Sequence, residues 1–130
     1  MIVVDASVLS TAVIDRGPDG VRIRALLRAN DASAPDLVDV EVVSALRGQW
    51  LGKKLTTKQL SAAVMDLVDL DVQRVPVRPL VARAVELRAN LSPYDAVYVA
   101  LAEVLNCTLV TADGRMARAA GTRCRIEVLS

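Results

Sequence analysis

The stretch from residue 92 to residue 113 places the strongest constraint on how this chain can fold. It begins with Ser92 and Pro93, which are favoured at the cap and at the first position of a helix. It continues through a run from Ala96 to Ala102 that has no polar stripe, and such a helix is buried on most of its faces. A short β-prone run at residues 107–110 follows and indicates a buried parallel strand. The stretch therefore predicts a helix and a strand inside an α/β core.

The rest of the chain alternates strand-like runs with helical patterns. Further strands are predicted at residues 2–4, 72–77 and 126–129, and a long helix over about residues 36–51. Residues 30–33 are predicted as a loop, or as a loop leading into a brief strand. Strands that alternate with helices are typical of a mainly parallel sheet covered on both faces. We expect one domain over residues 1–130, an α/β sandwich with about four strands and six or seven helices.

Composition excludes several classes of protein. Sixteen basic and fifteen acidic residues leave a net charge of +1, which excludes a uniformly basic nucleic-acid binder but permits a local basic rim. The absence of His excludes a Ser-His-Asp triad, a His-based ribonuclease and a histidine-ligated zinc site. One Trp, two Tyr and no Phe are too few for a base-stacking platform.

The same composition predicts a cytoplasmic protein with no membrane partner. No apolar run reaches the roughly 20 residues that a spanning helix needs. The first residues lack the basic region of a signal peptide and reach an acid at Asp5. The two cysteines, Cys107 and Cys124, are predicted to be buried, reduced thiols.

Four acidic residues lie at positions where α/β proteins often have catalytic or ligand-binding residues. Asp5 and Asp113 follow predicted strands, so both belong to the carboxyl edge of the sheet, where such proteins bind ligands. Asp95 lies in the first turn of its helix, and each of these three aspartates could instead serve as a helix cap. Glu41 is predicted in the second turn of its helix, too far in to act as a cap. The helix face that carries Glu41 has small and apolar residues, so a carboxylate there needs a partner.

Together, the four acids predict a metal site. If they converge, each close pair of carboxylates repels by about 4 kcal/mol at a surface-like dielectric. No Lys or Arg in these motifs is placed to neutralise them. An all-oxygen, histidine-free site suits Mg²⁺ or Mn²⁺. The chemistry expected is attack of metal-activated water on a phosphodiester.

Motifs spread over nearly the whole chain resemble those of the PIN domain and, within that family, the VapC-type toxins of bacterial toxin–antitoxin pairs. Their order and separation make the resemblance specific. The motifs are Val4-Asp5-Ala6-Ser7, Ala34-Pro35-Asp36-Leu37 leading to Glu41-Val42-Val43-Ser44-Ala45-Leu46, Ser92-Pro93-Tyr94-Asp95-Ala96 and Leu109-Val110-Thr111-Ala112-Asp113.

The resemblance implies a PIN-like α/β/α sandwich and a Mg²⁺- or Mn²⁺-dependent endoribonuclease. It also implies a homodimer and a cognate antitoxin protein, whose C-terminal segment enters the active-site groove. By residue-to-residue correspondence, the catalytic and metal-binding cluster would be Asp5, Glu41, Asp95 and Asp113.

The resemblance also implies roles for residues around this cluster. Ser7 and Thr111 would orient an acid or a metal-bound water. Arg115 and Arg118 would contact RNA phosphates, although a solvated helix face explains these two arginines equally well. The chain departs from the family pattern in two ways. Many relatives have an aromatic residue where Met116 stands, and some carry a further acid after the last one, which bears on how firmly a second metal would be held.

One other functional class is compatible with the residues, and a second is disfavoured by them. A PIN-like domain that has lost activity would act only as a binding partner. A receiver-like phosphoacceptor domain would need an acid pair beside Asp5 and a lysine after a late strand, but Ala6 follows Asp5 and the lysines lie together at residues 53–58.

The helices between residues 36 and 70 carry more apolar positions than one core face requires, with Trp50 among them. This surplus predicts a surface for a dimer or an antitoxin, or else deeper burial within the monomer.

Overall fold

Five short strands form the centre of the fold, and all of their pairings are parallel. A computed structural model describes them within residues 1–129. Along the sheet the order is β3-β2-β1-β4-β5. The predicted α/β sandwich is confirmed, with one strand more than the expected four. The strands are β1 Ile2–Val4, β2 Ala32–Pro35, β3 Val72–Val75, β4 Thr108–Thr111 and β5 Ile126–Val128.

The additional strand is β2, at the place where the sequence left a choice between a loop and a brief strand. Its four residues, Ala-Ser-Ala-Pro, have little intrinsic preference for a strand. All four are buried, because β2 lies between β1 and β3 and is paired with Ile2 on one side and Val72 on the other. Burial and pairing on both sides therefore override weak local propensity.

Within the described residues 1–129, seven α-helices cover the sheet. One group packs around α1, which contacts α2, α3 and α4, whereas α6 packs on α5 and on β1, β2 and β4. Among residues 1–129, no helix has the length and apolar character needed to cross a membrane. The helices are α1 Ala6–Ile14, α2 Pro18–Ala29, α3 Val38–Leu51, α4 Thr57–Asp69, α5 Val81–Glu86 (after a 3₁₀ turn at Arg78–Leu80), α6 Pro93–Leu105 and α7 Gly114–Ala117.

The central helix α6 has the burial that its sequence predicts. Every residue from Ala96 to Ala102 is buried. Ser92 caps the helix by accepting a hydrogen bond from the main-chain N of Asp95 at 3.2 Å. The helix ends at Asn106, which adopts a left-handed φ of 51°. Apolar continuity and a correct cap were enough to predict this element.

Helix α3 begins later than predicted, and this changes the position of Glu41. The main-chain N of Asp36 donates to the carbonyl of Val75 at 2.8 Å, so the chain still follows β3 there. The helix starts at Val38, which places Glu41 in the first turn rather than the second. The prediction of the second turn was therefore wrong, although Glu41 is not the cap, which is Leu37.

The two cysteines are free, as predicted, but each is half-buried rather than buried. Cys107 directly precedes β4, and Cys124 lies two residues before β5. Both therefore lie at the amino edge of the sheet, away from the edge that carries Asp5 and Asp113.

Candidate functional site

The carboxyl ends of β1 and β4 bring the first predicted acid beside the last motif. The two strands are adjacent, with Val4 in register with Val110. The main-chain N of Asp5 continues this pairing and donates to the carbonyl of Val110 at 3.3 Å. As a result, the Thr111 hydroxyl lies next to the Asp5 carboxylate and donates a hydrogen bond to its Oδ2.

Asp5 is a buried carboxylate, only 6% exposed, that is surrounded by donors. Its Oδ1 accepts from Ser7 Oγ at 2.5 Å and from the main-chain N of Val8 at 3.2 Å. The second of these bonds makes Asp5 the N-cap of α1, so capping and membership of the site coexist. Burial raises the pKa of Asp5, the hydrogen bonds from Ser7, Thr111 and Val8 oppose this rise, and the charge of Asp95 adds to it.

The two predicted supporting residues link two segments of chain, one after β1 and one at the end of β4. Ser7 Oγ donates to Asp5 and accepts from the main-chain N of Ala112 at 3.0 Å. Thr111 Oγ1 donates to Asp5 and accepts from the main-chain N of Asp113 at 2.9 Å. Each hydroxyl therefore joins Asp5 to the segment that follows β4.

Glu41 reaches the site from α3 and has a partner that the sequence analysis missed. Tyr98, only 1% exposed, donates its hydroxyl to Glu41 Oε1 at 2.5 Å. A signal was available in the sequence, because Tyr98 carries the one polar side-chain group in the buried run of α6 and lies three residues after Asp95. Burial raises the pKa of Glu41, the Tyr98 hydroxyl lowers it, and the charges of Asp95 and Asp5 raise it further. Burial and Glu41 also raise the pKa of Tyr98, so its hydroxyl remains a neutral donor.

Asp95 occupies the first turn of α6 and is half-buried. The helix is capped by the Ser92 side chain, which accepts from the Asp95 main chain. Burial raises the pKa of Asp95 and the charge of Asp113 raises it further, whereas the charge of Arg115 and the Ser92 hydrogen bond lower it. Asp95 therefore interacts electrostatically with the acids on both sides of the site.

Asp113 has a cationic partner, which corrects the prediction that no basic residue neutralises these acids. Arg115 Nε donates to both carboxylate oxygens, at 3.1 Å to Oδ1 and 3.2 Å to Oδ2, and its second guanidinium nitrogen reaches Oδ2 at 2.7 Å. The main-chain N of Arg115 donates to Oδ1 at 2.9 Å, which makes Asp113 the N-cap of α7. These hydrogen bonds lower the pKa of Asp113, and the charge of Arg118 contributes to the lowering.

The four predicted acids thus behave as one electrostatic unit centred on Asp95. The charge of Asp95 raises the pKa of both Asp5 and Glu41, and the charge of Asp113 raises the pKa of Asp95. The donors are all carboxylate oxygens, the ligands that Mg²⁺ and Mn²⁺ prefer. Within residues 1–129, no three His, Cys, Asp or Glu side chains are arranged to hold a metal ion together. The donor chemistry and charge fit a divalent cation, and binding one requires side-chain movement, most clearly at Asp113.

Comparison with known proteins gives consistent matches over the full chain. The model of the PIN domain family matches residues 2–122. Ribonuclease VapC9 of Mycobacterium tuberculosis is 43% identical over 129 residues, which cover 99% of this chain and 98% of that protein.

Two solved structures have the same fold. VapC20 of Mycobacterium tuberculosis, described as a sarcin-ricin loop cleaving toxin, superposes with a TM-score of 0.68 at 17% identity and covers 94% of this chain and 96% of its own. VapBC2 from Rickettsia felis, bound to a DNA fragment from their promoter, superposes with a TM-score of 0.71 at 15% identity, with 100% of both chains covered. At these identities the two structures support the fold alone.

Proposed function

Because this chain belongs to the PIN-domain family and, within it, to the VapC ribonucleases, we propose that it is an endoribonuclease and the toxin of a toxin–antitoxin pair. Among the four predicted acids, Asp5, Glu41, Asp95 and Asp113, the observation that carries the proposal is the buried Asp5 carboxylate at the carboxyl edge of the sheet, which Ser7 and Thr111 join by hydrogen bonds to the segment of Asp113. Three of these carboxyl groups have raised pKa values, chiefly because they are buried and further because of the charges of neighbouring acids. Such a group is a candidate for a catalytic centre.

The proposed cofactor is Mg²⁺ or Mn²⁺, held by the same four carboxylates. Such an ion, when bound, lowers the pKa of a coordinated water and takes up charge on the leaving oxygen of a phosphodiester. Asp5 is the most firmly fixed of the four, because Ser7 and Thr111 each donate to it. Tyr98 positions Glu41, and we assign to Glu41 the acceptance of the proton from the attacking water.

The proposed substrate is RNA, bound mainly through its backbone. Arg115 and Arg118 are exposed on and beside α7, close in sequence to Asp113. Guanidinium groups at such a position bind phosphates well.

We further propose an antitoxin partner and a homodimer. Several large apolar side chains of α3 and α4 are exposed rather than buried deeper in the monomer, including Val40 at 73%, Met65 at 66% and Val68 at 71%. Exposed apolar side chains on neighbouring helices support a protein interface. Pairing with an antitoxin is also what the resemblance of the sequence motifs to those of VapC-type toxins implies.

The test compares the wild-type protein with Asp95→Asn, both purified free of any partner, on structured RNA with Mn²⁺ or Mg²⁺ and again with EDTA. Asn is a poor ligand for a hard cation, and the Ser92 cap is untouched, so the helix should persist. The matched control is Asp19→Asn, since Asp19 also follows a proline in the first turn of a helix but lies on α2, which carries none of the site residues. We expect metal-dependent cleavage by the wild type and by Asp19→Asn, and none by Asp95→Asn.

Equal cleavage by all three proteins would show that Asp95 is only structural and would remove it from the site. If none of them cuts the RNAs tried, thermal unfolding with and without Mn²⁺ decides the question. Stabilisation by Mn²⁺ that is lost in Asp95→Asn supports the metal site and leaves the substrate to be found. Absence of stabilisation in the wild type would favour a catalytically silent binding domain.

A further inference from the structure

Arg115 satisfies the Asp113 carboxylate almost completely by itself. Its guanidinium donates three hydrogen bonds to the two carboxylate oxygens, and its main-chain N donates a fourth. A carboxylate has about four lone-pair sites. A cation that uses Asp113 as a ligand must therefore take oxygen lone pairs from Arg115.

Arg115 also acts on a second acid of the cluster, Asp95. Its charge lowers the pKa of Asp95 as well as that of Asp113. Arg118, which directly follows α7, also lowers the pKa of Asp113 through its charge. The described hydrogen bonds of Asp113 with a guanidinium all come from Arg115.

The pair between Arg115 and Asp113 lies where it can open easily. The Arg115 side chain is 80% exposed and that of Asp113 is 26% exposed. Exposed ion pairs hold weakly, because water solvates both partners when they separate. A divalent cation can therefore displace the guanidinium at little cost.

We propose that Arg115 is a built-in competitor of the divalent cation for Asp113. This inference rests on the proposed metal site. In the metal-free protein the guanidinium holds Asp113 and offsets part of the charge of the cluster; when the cation binds, Arg115 releases Asp113. The released guanidinium then stands at the rim of the site with its donors available for an RNA phosphate. Arg115 is thus a positioning residue that keeps Asp113 out of use until the cation arrives.

The test measures Mn²⁺ binding to the full chain, without RNA and without a partner protein, by titration calorimetry and by the electron paramagnetic resonance signal of free Mn²⁺. Arg115→Gln should bind Mn²⁺ about two- to fivefold more tightly than the wild type, the change expected from removing one exposed ion pair. Arg118→Gln is the matched control, because it removes a charge directly after the same helix and leaves the guanidinium bonds to Asp113 intact. We expect it to change Mn²⁺ affinity by less than about twofold.

A second pair of variants separates competition at Asp113 from a general change of charge. In the Asp113→Asn background, Arg115→Gln should no longer tighten Mn²⁺ binding, since the shared carboxylate is gone. An equal gain in both backgrounds would overturn the proposal, as would an Arg115→Gln variant that binds no more tightly than the wild type.

Failure of the underlying metal site gives a different result. If the wild type binds no Mn²⁺, or if Asp95→Asn binds it as well as the wild type, the metal site itself is wrong and the role of Arg115 is lost with it. If the wild type binds Mn²⁺, Asp95→Asn does not and Arg115→Gln equals the wild type, only the role of Arg115 is overturned.

Discussion

Thr111 is the side chain on which the most buried acid of the site depends. It is fully buried, donates to Asp5 and accepts from the main chain of Asp113. We predict that Thr111→Val, which keeps the shape and removes both hydrogen bonds, lowers the free energy of unfolding by about 1–3 kcal/mol, the cost of leaving buried polar groups without a partner. Urea unfolding at neutral pH measures this. Thr108→Val, at the other end of the same strand, is the control and should cost less than about 0.5 kcal/mol; equal losses would contradict the assigned role.

The buried Tyr98 side chain favours the ionised form of Glu41. Its hydroxyl donates to Glu41 and so lowers the pKa of that carboxyl group, against the burial that raises it. Tyr98→Phe removes only this hydrogen bond, so the pKa of Glu41 should rise further. If ionised Glu41 accepts the proton of the attacking water, the acid limb of the pH–rate profile for RNA cleavage then moves to higher pH.

The control for Tyr98 is Tyr94→Phe, in the same helix but exposed. It should leave the profile unchanged. A Tyr98→Phe variant that loses rate uniformly across pH, without a shifted limb, would rule out control of protonation by Tyr98.

At the level of single residues, sequence reasoning found acids and hydroxyls but missed their partners. Asp5 was identified from its place after a strand, and Ser7 and Thr111 from the family resemblance; parallel pairing of β1 with β4 then fixes their contact. The Glu41–Tyr98 bond joins residues 57 positions apart on two helices, and no local pattern predicts how α3 and α6 face each other. The Asp113–Arg115 pair was missed because residues two apart do not share a helix face; a turn brings them together.

Arg74 joins three elements and is the clearest tertiary support beneath the α3–α4 helix pair. Its guanidinium donates to the carbonyls of Leu67 at 2.6 Å, Leu70 at 2.9 Å and Val72 at 2.8 Å, and it pairs with Asp39 on α3 at 3.1 Å. The contacts satisfy carbonyl groups at the end of α4 and tie that end to β3.

We predict that Arg74→Lys lowers the free energy of unfolding by about 1–3 kcal/mol, because an ammonium group cannot replace a planar fork with several fixed donors. Thermal or urea unfolding measures this. Arg47→Lys, an exposed arginine on α3, serves as the control and should be nearly neutral. If both variants unfold alike, the Arg74 contacts do not stabilise the fold.

Among the elements, predictability followed the strength of the local signal. Helix α6 and strand β4 were predicted because an uninterrupted apolar run and a correct cap leave few alternatives. Strand β2 and the start of α3 depend on neighbours instead. The short Ala-Ser-Ala-Pro run becomes a strand because β1 and β3 pair with it, and Asp36 is held beside β3 rather than entering the helix.

For the molecule as a whole, the acidic cluster predicts a conflict between stability and function. The carboxyl groups of Asp5, Glu41 and Asp95 have raised pKa values in the folded state. Between the ordinary pKa of an acid and the raised value, the folded protein binds more protons than the unfolded chain, so these groups cost stability as the pH rises through that window. The cost is complete at neutral pH and absent once they are protonated.

We therefore predict that Asp95→Asn, although inactive, is more stable than the wild type at neutral pH in EDTA, by about 0.5–1 kcal/mol. The gain should vanish when the pH falls low enough to protonate the wild-type acids, and it should reverse when Mn²⁺ is added, since the wild type alone would then gain binding energy. Thermal unfolding at two pH values, with and without Mn²⁺, measures all three effects. A variant that is less stable than the wild type under every condition would show that Asp95 is needed for the fold.

Family membership and fold class were both predicted from the sequence and are confirmed. The reason lies in the spacing of the motifs. Each of the four acids lies close to the end of a strand or the start of a helix, so their order along the chain indicates the topology as well as the site. The charge balance between those acids was not predictable, since it depends on where Arg115 and Tyr98 point.

The pairing of β1 with β4 has a consequence for folding during synthesis on the ribosome. Asp5 and Thr111 meet across 106 positions of sequence, so β1 leaves the ribosome long before its partner strand exists. A contact of such high sequence separation forms late in folding. The proposed site therefore cannot assemble before Thr111 has been synthesised.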